Sequence, residues 1–322
     1  MTAAAHGTAL DVRGLRVDVR SGGTVTNIVD DLSFTVARGA LFALVGESGS
    51  GKSLTCLALA GQLGGEMGVR GSATLGGRQL LSDDRPGGAV AMIFQNPAQC
   101  LNPVCTIGFQ LVETVRYAQR LDRDGARARA RSLLAEVGLA DGAAVMARYP
   151  HQLSGGMNQR VMIALALATE PALLIADEPT SALDVTTQAR ILDLLDRLRR
   201  DRRMSVLLVT HDLGVALQRA DRIGVLYAGR LVETGVTASV MRAPRHHYTR
   251  ALVASSAMGA SARGRLPALD GAVPDPGDRP AGCAFVARCV CASLECDRGR
   301  PVLSGPATHQ HACFHPSAVG AP

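Results

Sequence analysis

The only lysine in this 322-residue chain, Lys52, lies in a glycine-rich segment, whereas the other 33 of its 34 basic residues are arginines. The segment reads Gly46-Glu47-Ser48-Gly49-Ser50-Gly51-Lys52-Ser53 and has the spacing G-x-x-x-x-G-K-S. A lysine ammonium is a compact charge on a flexible stem, so it reaches phosphate oxygens among backbone amides more easily than a planar guanidinium does. The segment therefore predicts a site for a nucleoside triphosphate.

The sequence on either side of this segment suits a phosphate-binding loop. The apolar run 41–45 predicts a buried strand, and the run 53–59 opens a helix. The glycines permit backbone angles and close approaches that a Cβ would forbid, so that N–H groups and a helix N-terminus can surround the phosphates. Ser53 is then expected to bind Mg²⁺. A glycine turn before an ordinary core helix is the alternative, which the unique lysine disfavours.

A second apolar run, 172–176, ends in two carboxylates, Asp177 and Glu178. In the strand that partners a phosphate-binding loop, the first acid would hold Mg²⁺ through water and the second would polarise the attacking water as a general base. Two acids at a strand end, taken alone, are more often solvated edge residues. The upstream loop favours the catalytic interpretation.

Four further segments complete a recognisable set. They are Gln95 after the run 90–94, Leu153-Ser154-Gly155-Gly156-Met157-Asn158-Gln159-Arg160, Ser181-Ala182-Leu183-Asp184, and His211 after the run 206–210. In this order, with the segments above, they resemble the Q-loop, signature motif, D-loop and switch histidine of the ATP-binding cassette family. A lone histidine, or a serine capping a helix, would each have a plain structural explanation.

The resemblance implies ATP and Mg²⁺ as ligands and assigns roles to these residues. Gln95 would sense Mg²⁺ and the attacking water, and His211 would contact the γ-phosphate. Ser154, Gly155 and Gly156 would meet the ATP that an opposite subunit binds, and Asp184, in the D-loop, is expected among the nucleotide-binding residues. Val19 stands where the family usually has an aromatic residue against adenine, so that contact is expected to be missing or supplied elsewhere.

The family resemblance also implies the fold: an α/β P-loop ATPase with a mostly parallel core sheet and an N-terminal antiparallel β subdomain. We expect the nucleotide-binding domain at 1–256, with a helical subdomain at about 96–168. Residues 257–282 are rich in Gly, Ala, Ser and Pro and predict a connector. A small cysteine-rich extension follows at 283–322.

Within the family, several segments are similar to the ATPase subunits, of the D type, of bacterial dipeptide, oligopeptide and nickel importers. These segments are Asn96-Pro97, Leu101-Asn102-Pro103, Tyr149-Pro150-His151-Gln152, Tyr227-Ala228-Gly229-Arg230 and His247-Tyr248-Thr249-Arg250. This resemblance implies two transmembrane permeases, a second ATPase chain in a heterodimer, an extracytoplasmic substrate-binding protein, and a peripheral position on the cytoplasmic face of the inner membrane. Peptides are the expected cargo, and nickel or a metal chelate is the alternative.

Four cysteines of the extension, Cys283, Cys289, Cys296 and Cys313, resemble the tail of the peptide-importer ATPases, for which a [4Fe-4S] cluster is implied in some members. Four thiolates suit either such a cluster or tetrahedral zinc, and the spacing leaves both open, together with unligated thiols. Cys291 could substitute as a ligand. Three nearby histidines, at 309, 311 and 315, could also bind metal, although exposed side chains are the expectation for them.

Composition argues against other classes of function. The arginines of this +6 chain are scattered over helical stretches without interleaved aromatic residues, and there is no tryptophan, so nucleic-acid binding is not expected. No apolar stretch approaches the roughly 18 residues of a membrane span, and the N-terminus resembles no secretory signal. A cassette ATPase acting on DNA or ribosomes would need a long coiled-coil insertion or a duplicated cassette, and the sequence has neither.

Overall fold

The computed structural model describes residues 7–82, 87–181, 183–256 and 269–317, which form two sheets and their covering helices. In chain order the strands are β1 (Thr8–Ser21), β2 (Thr24–Ala37), β3 (Leu41–Val45), β4 (Met67–Leu75), β5 (Arg78–Gln79), β6 (Val90–Ile93), β7 (Leu173–Asp177), β8 (Ser205–Thr210), β9 (Arg222–Tyr227), β10 (Arg230–Val236) and β11 (His309–His311).

The smaller sheet is antiparallel, with the strand order β2-β1-β4-β5. Glycine pairs make its tight turns: Gly22 and Gly23 between β1 and β2, and Gly76 and Gly77 between β4 and β5, all with positive φ. The inner face of this sheet, which includes Leu10 of β1, packs in one core with Leu44 of β3. This is the antiparallel N-terminal subdomain that the sequence predicts.

The larger sheet has the order β11-β10-β9-β3-β8-β7-β6. Strands β9, β3, β8, β7 and β6 run parallel, whereas β10 and β11 are antiparallel to their neighbours. Every residue of β3, β7 and β8 is buried, as expected when both faces of a parallel sheet are covered. The mostly parallel core sheet is thus confirmed.

Helices cover both faces of this sheet. A separate group of helices lies between β6 and β7 in the chain. In chain order the helices are α1 (Lys52–Ala60), α2 (Pro97–Cys100), α3 (Ile107–Gln119), α4 (Arg123–Glu136), α5 (Gly142–Ala147), α6 (Gly155–Leu167), α7 (Val185–Arg202), α8 (Leu213–Arg219), α9 (Thr237–Arg242), α10 (His247–Ser255) and α11 (Leu294–Arg298). Helices α2 to α6 fall inside the predicted helical subdomain and share a core that includes Leu111, Leu134 and Ile163.

The C-terminal tail packs on the larger sheet rather than standing apart from it. Residues 257–268 of the predicted connector lie outside the described residues. From residue 269 onward, Phe285 packs edge-on against Tyr227 and at a tilt against Tyr248, and β11 pairs with β10 through Glu233 and His311. No sequence pattern indicated β11, because a three-residue His-Gln-His strand has no apolar alternation.

Candidate active site

The predicted catalytic residues lie at one edge of the larger sheet. Strands β3, β8, β7 and β6 are consecutive and parallel, so their carboxyl ends meet there. The glycine-rich loop follows β3, His211 follows β8, Asp177 ends β7 with Glu178 directly after it, and Gln95 follows β6. Gln95 and His211, which are 116 positions apart in sequence, are thereby brought to one site.

Lys52 is folded back over its own loop. Its Nζ donates hydrogen bonds to the carbonyl oxygens of Gly46 and Glu47, both at 2.8 Å. Burial lowers the pKa of Lys52, against the opposing effects of Glu178 and Asp177. These carbonyls hold the ammonium at the start of α1, where the backbone N–H groups of the loop can donate to phosphate oxygens.

Gly46 is required by a close backbone approach. A Cβ at this position would lie 2.2 Å from the carbonyl oxygen of Leu226, and the φ of Gly46 is +155°. Leu226 belongs to β9, next to β3 in the sheet, so backbone rather than a movable side chain fills the space. The first glycine of the motif thus lets the loop leave β3 directly against its neighbour.

Ser53 and Asp177 form the candidate Mg²⁺ site. Burial raises the pKa of Asp177, while a hydrogen bond from Ser53 acts against that rise. Oδ1 of Asp177 is buried and has no hydrogen-bond partner among the described residues. A hydroxyl and a carboxylate beside a phosphate-binding loop are oxygen ligands that Mg²⁺ prefers, so the residues present fit this ion.

Glu178 contacts two other predicted catalytic residues, Gln95 and His211. Its Oε2 accepts a hydrogen bond from Gln95 Nε2 at 3.0 Å, and its Oε1 lies 3.3 Å from His211 Nδ1. The side chain of Glu178 is 18% exposed and that of His211 is 66% exposed, so a water can reach this group from outside. The arrangement can orient and deprotonate a nucleophilic water.

The signature segment and the D-loop lie together but apart from Lys52. The Ser154 hydroxyl accepts a hydrogen bond from Met157 N at 3.3 Å and caps α6, and Asp184 accepts one from Thr187 N at 3.0 Å and caps α7. A Cβ on Gly156 would lie 2.8 Å from Thr187 Cγ2. Among the described residues, no hydrogen bond or ion pair connects Ser154, Gly155, Gly156 or Asp184 to the glycine-rich loop.

Two residues that contact the loop were not predicted as part of the site. Tyr248 Oη accepts a hydrogen bond from the backbone N–H of Glu47 at 2.9 Å. Arg288 Nη1 lies 3.0 Å from Glu47 Oε2. Tyr248 belongs to a segment whose sequence indicates the subfamily but no role at the site, and no sequence signal singles out Arg288 among 33 arginines.

The four predicted cysteine ligands line one small cavity, together with Cys291, His246, His247 and His315. Burial raises the pKa of the thiols of Cys283, Cys289 and Cys313, the last to about 11, with smaller contributions from neighbouring cysteines. Within the described residues, however, no three His, Cys, Asp or Glu side chains are arranged to hold a metal ion.

His309 is not exposed, contrary to expectation. Its side chain is 14% exposed, and its Nε2 lies 2.6 Å from Oε1 of the fully buried Glu233. Glu233 also accepts hydrogen bonds from the backbone N–H groups of Arg245 and His246, at 2.7 and 2.9 Å. The histidine therefore helps to attach β11 to the sheet.

Comparison with known proteins agrees with this geometry. Residues 29–181 match the ABC transporter family model, and residues 232–296 match the model of the oligopeptide/dipeptide transporter C-terminal region. The dipeptide transport ATP-binding protein DppD of Escherichia coli K12 is 42% identical over 315 residues, which are 95% of this chain and 96% of that protein. The chain belongs to the ATP-binding cassette family.

Other members of the ABC family support this placement. A putative peptide import ATP-binding protein of Brucella abortus is 44% identical over 307 residues, covering 92% of this chain and 91% of that protein. A dimeric ATP-binding cassette in a post-hydrolysis state bound to ADP and phosphate superposes with a TM-score of 0.61 at 25% identity, over 71% of this chain and 98% of that one. The protein cbiO1 of Clostridium perfringens gives a TM-score of 0.62 at 25% identity, over 72% and 90% of the two chains.

The chain is therefore an ABC ATPase, which hydrolyses ATP to ADP and phosphate. A helix both long and apolar enough to cross a bilayer is absent from the part of the chain that the structure describes.

Proposed function

We propose that this ABC ATPase energises a bacterial importer of dipeptides or oligopeptides. The observation that carries the proposal is the joining, in one chain, of a complete hydrolytic edge to a tail that matches the oligopeptide/dipeptide transporter C-terminal region. Relatives named for peptide import and dipeptide transport, similar over more than nine-tenths of the chain, support the same cargo.

At the ATP site, Lys52 and the N–H groups of the loop bind the phosphates, while Ser53 and Asp177 would hold Mg²⁺. When bound, Mg²⁺ neutralises charge on the phosphate oxygens. Glu178 accepts a proton from the attacking water, and Gln95, whose Nε2 donates to the Glu178 carboxylate, helps to place that water. His211 stabilises the γ-phosphate from the other side of Glu178.

A second subunit completes this site. Ser154, Gly155 and Gly156 are not joined to the glycine-rich loop of their own chain, and they open a helix N-terminus that can face a phosphate bound elsewhere. We infer a sandwich of two ATPase chains, of which the second is a different chain.

The heterodimer is tested by mixing the Glu178→Gln variant with the second ATPase chain in MgATP, which should give a dimer by size-exclusion chromatography. Dimerisation of this chain alone would contradict the heterodimer.

The helical subdomain offers a docking surface for a permease. A groove is lined by Phe109, Val112, Arg123, Arg127 and Met146, and Phe109 is 58% exposed. An exposed aromatic beside arginines suits a short amphipathic helix of a membrane protein, which supports a peripheral position of this chain on the cytoplasmic face of the inner membrane. Phe109→Asp should abolish co-purification with the permeases and leave MgATP binding unchanged.

For the cysteine cavity we propose a [4Fe-4S] cluster held by Cys283, Cys289, Cys296 and Cys313, rather than zinc. A single zinc ion would draw all four sulfurs to about 2.3 Å from one point. The four thiols line one cavity, and the match of the tail to the oligopeptide/dipeptide transporter C-terminal region supports the cluster that the family resemblance implies for some such tails. The cluster would cross-link the tail. Anaerobic purification should yield iron and acid-labile sulfide, and their absence, or stoichiometric zinc, would contradict this assignment.

The import function is tested by reconstitution in liposomes with the permeases, the second ATPase and the binding protein. ATP hydrolysis is measured with the binding protein empty, peptide-loaded or loaded with a nickel chelate. Stimulation by the peptide-loaded form alone supports the proposal. Stimulation by the nickel form alone would move the cargo to a metal chelate, and stimulation by neither would reject peptide import.

A further inference from the structure

Glu47, the second residue of the glycine-rich loop, is held from three directions. Its backbone N–H donates to Tyr248 Oη at 2.9 Å, and its carbonyl oxygen accepts from Lys52 Nζ at 2.8 Å. Its carboxylate Oε2 lies 3.0 Å from Arg288 Nη1. The residue that accepts the hydrogen bond of the phosphate-binding lysine is therefore anchored to the C-terminal tail.

Arg288 is itself firmly placed. Its side chain is only 6% exposed. Its Nε and Nη2 donate to the carbonyl oxygens of Asp270 and Leu269, at 2.9 and 3.2 Å, and its guanidinium lies over the rings of Tyr227 and Phe285. Because a guanidinium donates in fixed in-plane directions, these contacts determine where Nη1 points. The tail presents a rigid cation to the loop.

The carboxylate of Glu47 depends on this cation. Its second oxygen, Oε1, is buried and has no hydrogen-bond partner among the described residues. Without Arg288, a partly buried carboxylate would lose its counter-charge and would turn toward water. Loss of that anchor would leave Glu47 held only through its backbone, by Tyr248 and Lys52, and would so loosen the carbonyl that holds Lys52.

We propose that Arg288 is a positioning residue for ATP binding: through Glu47 it sets the conformation of the glycine-rich loop, and the cysteine-bearing tail thereby determines the affinity for MgATP. Arg288 stands immediately before Cys289, so the packing of the cysteine cavity and the placement of the guanidinium depend on the same short turn. The inference rests on the proposed binding of MgATP by this loop.

The test measures MgATP affinity of the full-length chain with a fluorescent ATP analogue, for the wild type, Arg288→Gln, Arg288→Lys and the matched control Arg300→Gln. Arg300 also joins the tail to a core carboxylate, Asp30, at 3.2 Å, but does not contact the loop. We expect Arg288→Gln to weaken binding about tenfold, Arg288→Lys less, and Arg300→Gln less than about twofold. In the assembled transporter, KM for ATP should rise with Kd while kcat changes little, because Arg288 does not touch the reacting atoms.

A double variant separates positioning from general loosening of the tail. If Arg288 acts through Glu47, then Arg288→Gln in a Glu47→Gln background should cost little further affinity, because the coupled charge is already gone. Equal weakening by Arg288→Gln and Arg300→Gln, full additivity in the double variant, or unchanged affinity in Arg288→Gln would each overturn the inference. If Arg288→Gln folds poorly, the same comparison of MgATP affinities is made with Arg288→Lys and Glu47→Gln. Failure of the wild type to bind MgATP would reject the underlying site instead.

Discussion

The hydrolytic edge of the larger sheet and the C-terminal tail position their polar groups by different means. At the edge, each group follows a buried strand, and the backbone ladder of parallel strands places the groups side by side. In the tail, arginines and a histidine pair with carboxylates of the core, namely Asp30, Glu47 and Glu233. Changes at the edge should therefore affect nucleotide binding and hydrolysis, and changes in the tail should affect its attachment to the core and, through Arg288, the affinity for MgATP.

The largest expected effect of a single substitution on turnover comes from Glu178→Gln. The amide keeps the shape of the side chain but removes the base, so ATP hydrolysis in the assembled transporter should fall about 10²-fold to 10⁴-fold. MgATP affinity and the thermal unfolding midpoint should stay close to wild type. Glu170→Gln, at an exposed glutamate paired with Arg129, is the control and should leave turnover unchanged. Near-normal hydrolysis by Glu178→Gln would remove Glu178 from its role.

Gly46→Ala tests whether the edge depends on backbone contact. The new Cβ would lie 2.2 Å from the carbonyl oxygen of Leu226, so the loop must move and MgATP binding should be lost. Gly49→Ala is the matched control: φ is +79° there, but no atom lies within 4 Å of the place that a Cβ would take, so only backbone strain of about 1–3 kcal/mol is expected. Equal affinity losses in the two variants would attribute the effect to strain rather than to the collision.

The edge was predictable from sequence because each of its residues adjoins an apolar run, and β3, β7 and β8 were each recognisable by local pattern. What local pattern left open was which strand ends are neighbours, and the structure supplies this as the order β3-β8-β7-β6. In the tail, neither pattern nor spacing indicated that Arg288 meets Glu47, which is 241 positions earlier, or that His309 meets Glu233. Such pairs depend on three-dimensional packing, and one arginine among many has no distinguishing sequence context.

Asp30→Asn should weaken attachment of the tail. Oδ2 of Asp30 accepts from Arg230 Nε at 2.9 Å and from Arg300 Nη1 at 3.2 Å, so loss of the carboxylate should lower the free energy of unfolding by about 2 kcal/mol. Asp31→Asn is the control, because Asp31 is about half exposed and lies 3.5 Å from Arg300, and it should cost less than about 0.5 kcal/mol. Urea unfolding at neutral pH measures both.

The Asp30 carboxylate also makes the attachment of the tail sensitive to acid. Burial alone would raise the pKa of Asp30, but Arg230, Arg300 and Arg16 outweigh it and lower the pKa below its usual value of 3.8. A depressed carboxyl pKa stabilises the fold above the unfolded value and loses that contribution as pH falls through the folded value. In Asp30→Asn this part of the acid dependence, below about pH 4, should disappear. An unchanged acid limb in the variant would contradict the role of Asp30.

The smallest expected effect sets in at milder acidity and comes from His246. The ring is 1% exposed, its Nδ1 accepts from Tyr248 N at 3.1 Å, and burial lowers its pKa from 6.5 to about 3. Between these values the unfolded chain binds a proton that the folded chain excludes, so stability should fall as pH drops below about 6.5. From pH 6.5 to 5.5 the free energy of unfolding should fall by about 1 kcal/mol, since a full proton difference is worth about 1.4 kcal/mol per pH unit.

His246→Asn should flatten this dependence of stability on pH, whereas His151→Asn, at an exposed residue in the helical subdomain, should retain it. Thermal unfolding midpoints across this range give both slopes, and equal slopes in the two variants would show that the sensitivity of the fold to mild acid arises elsewhere.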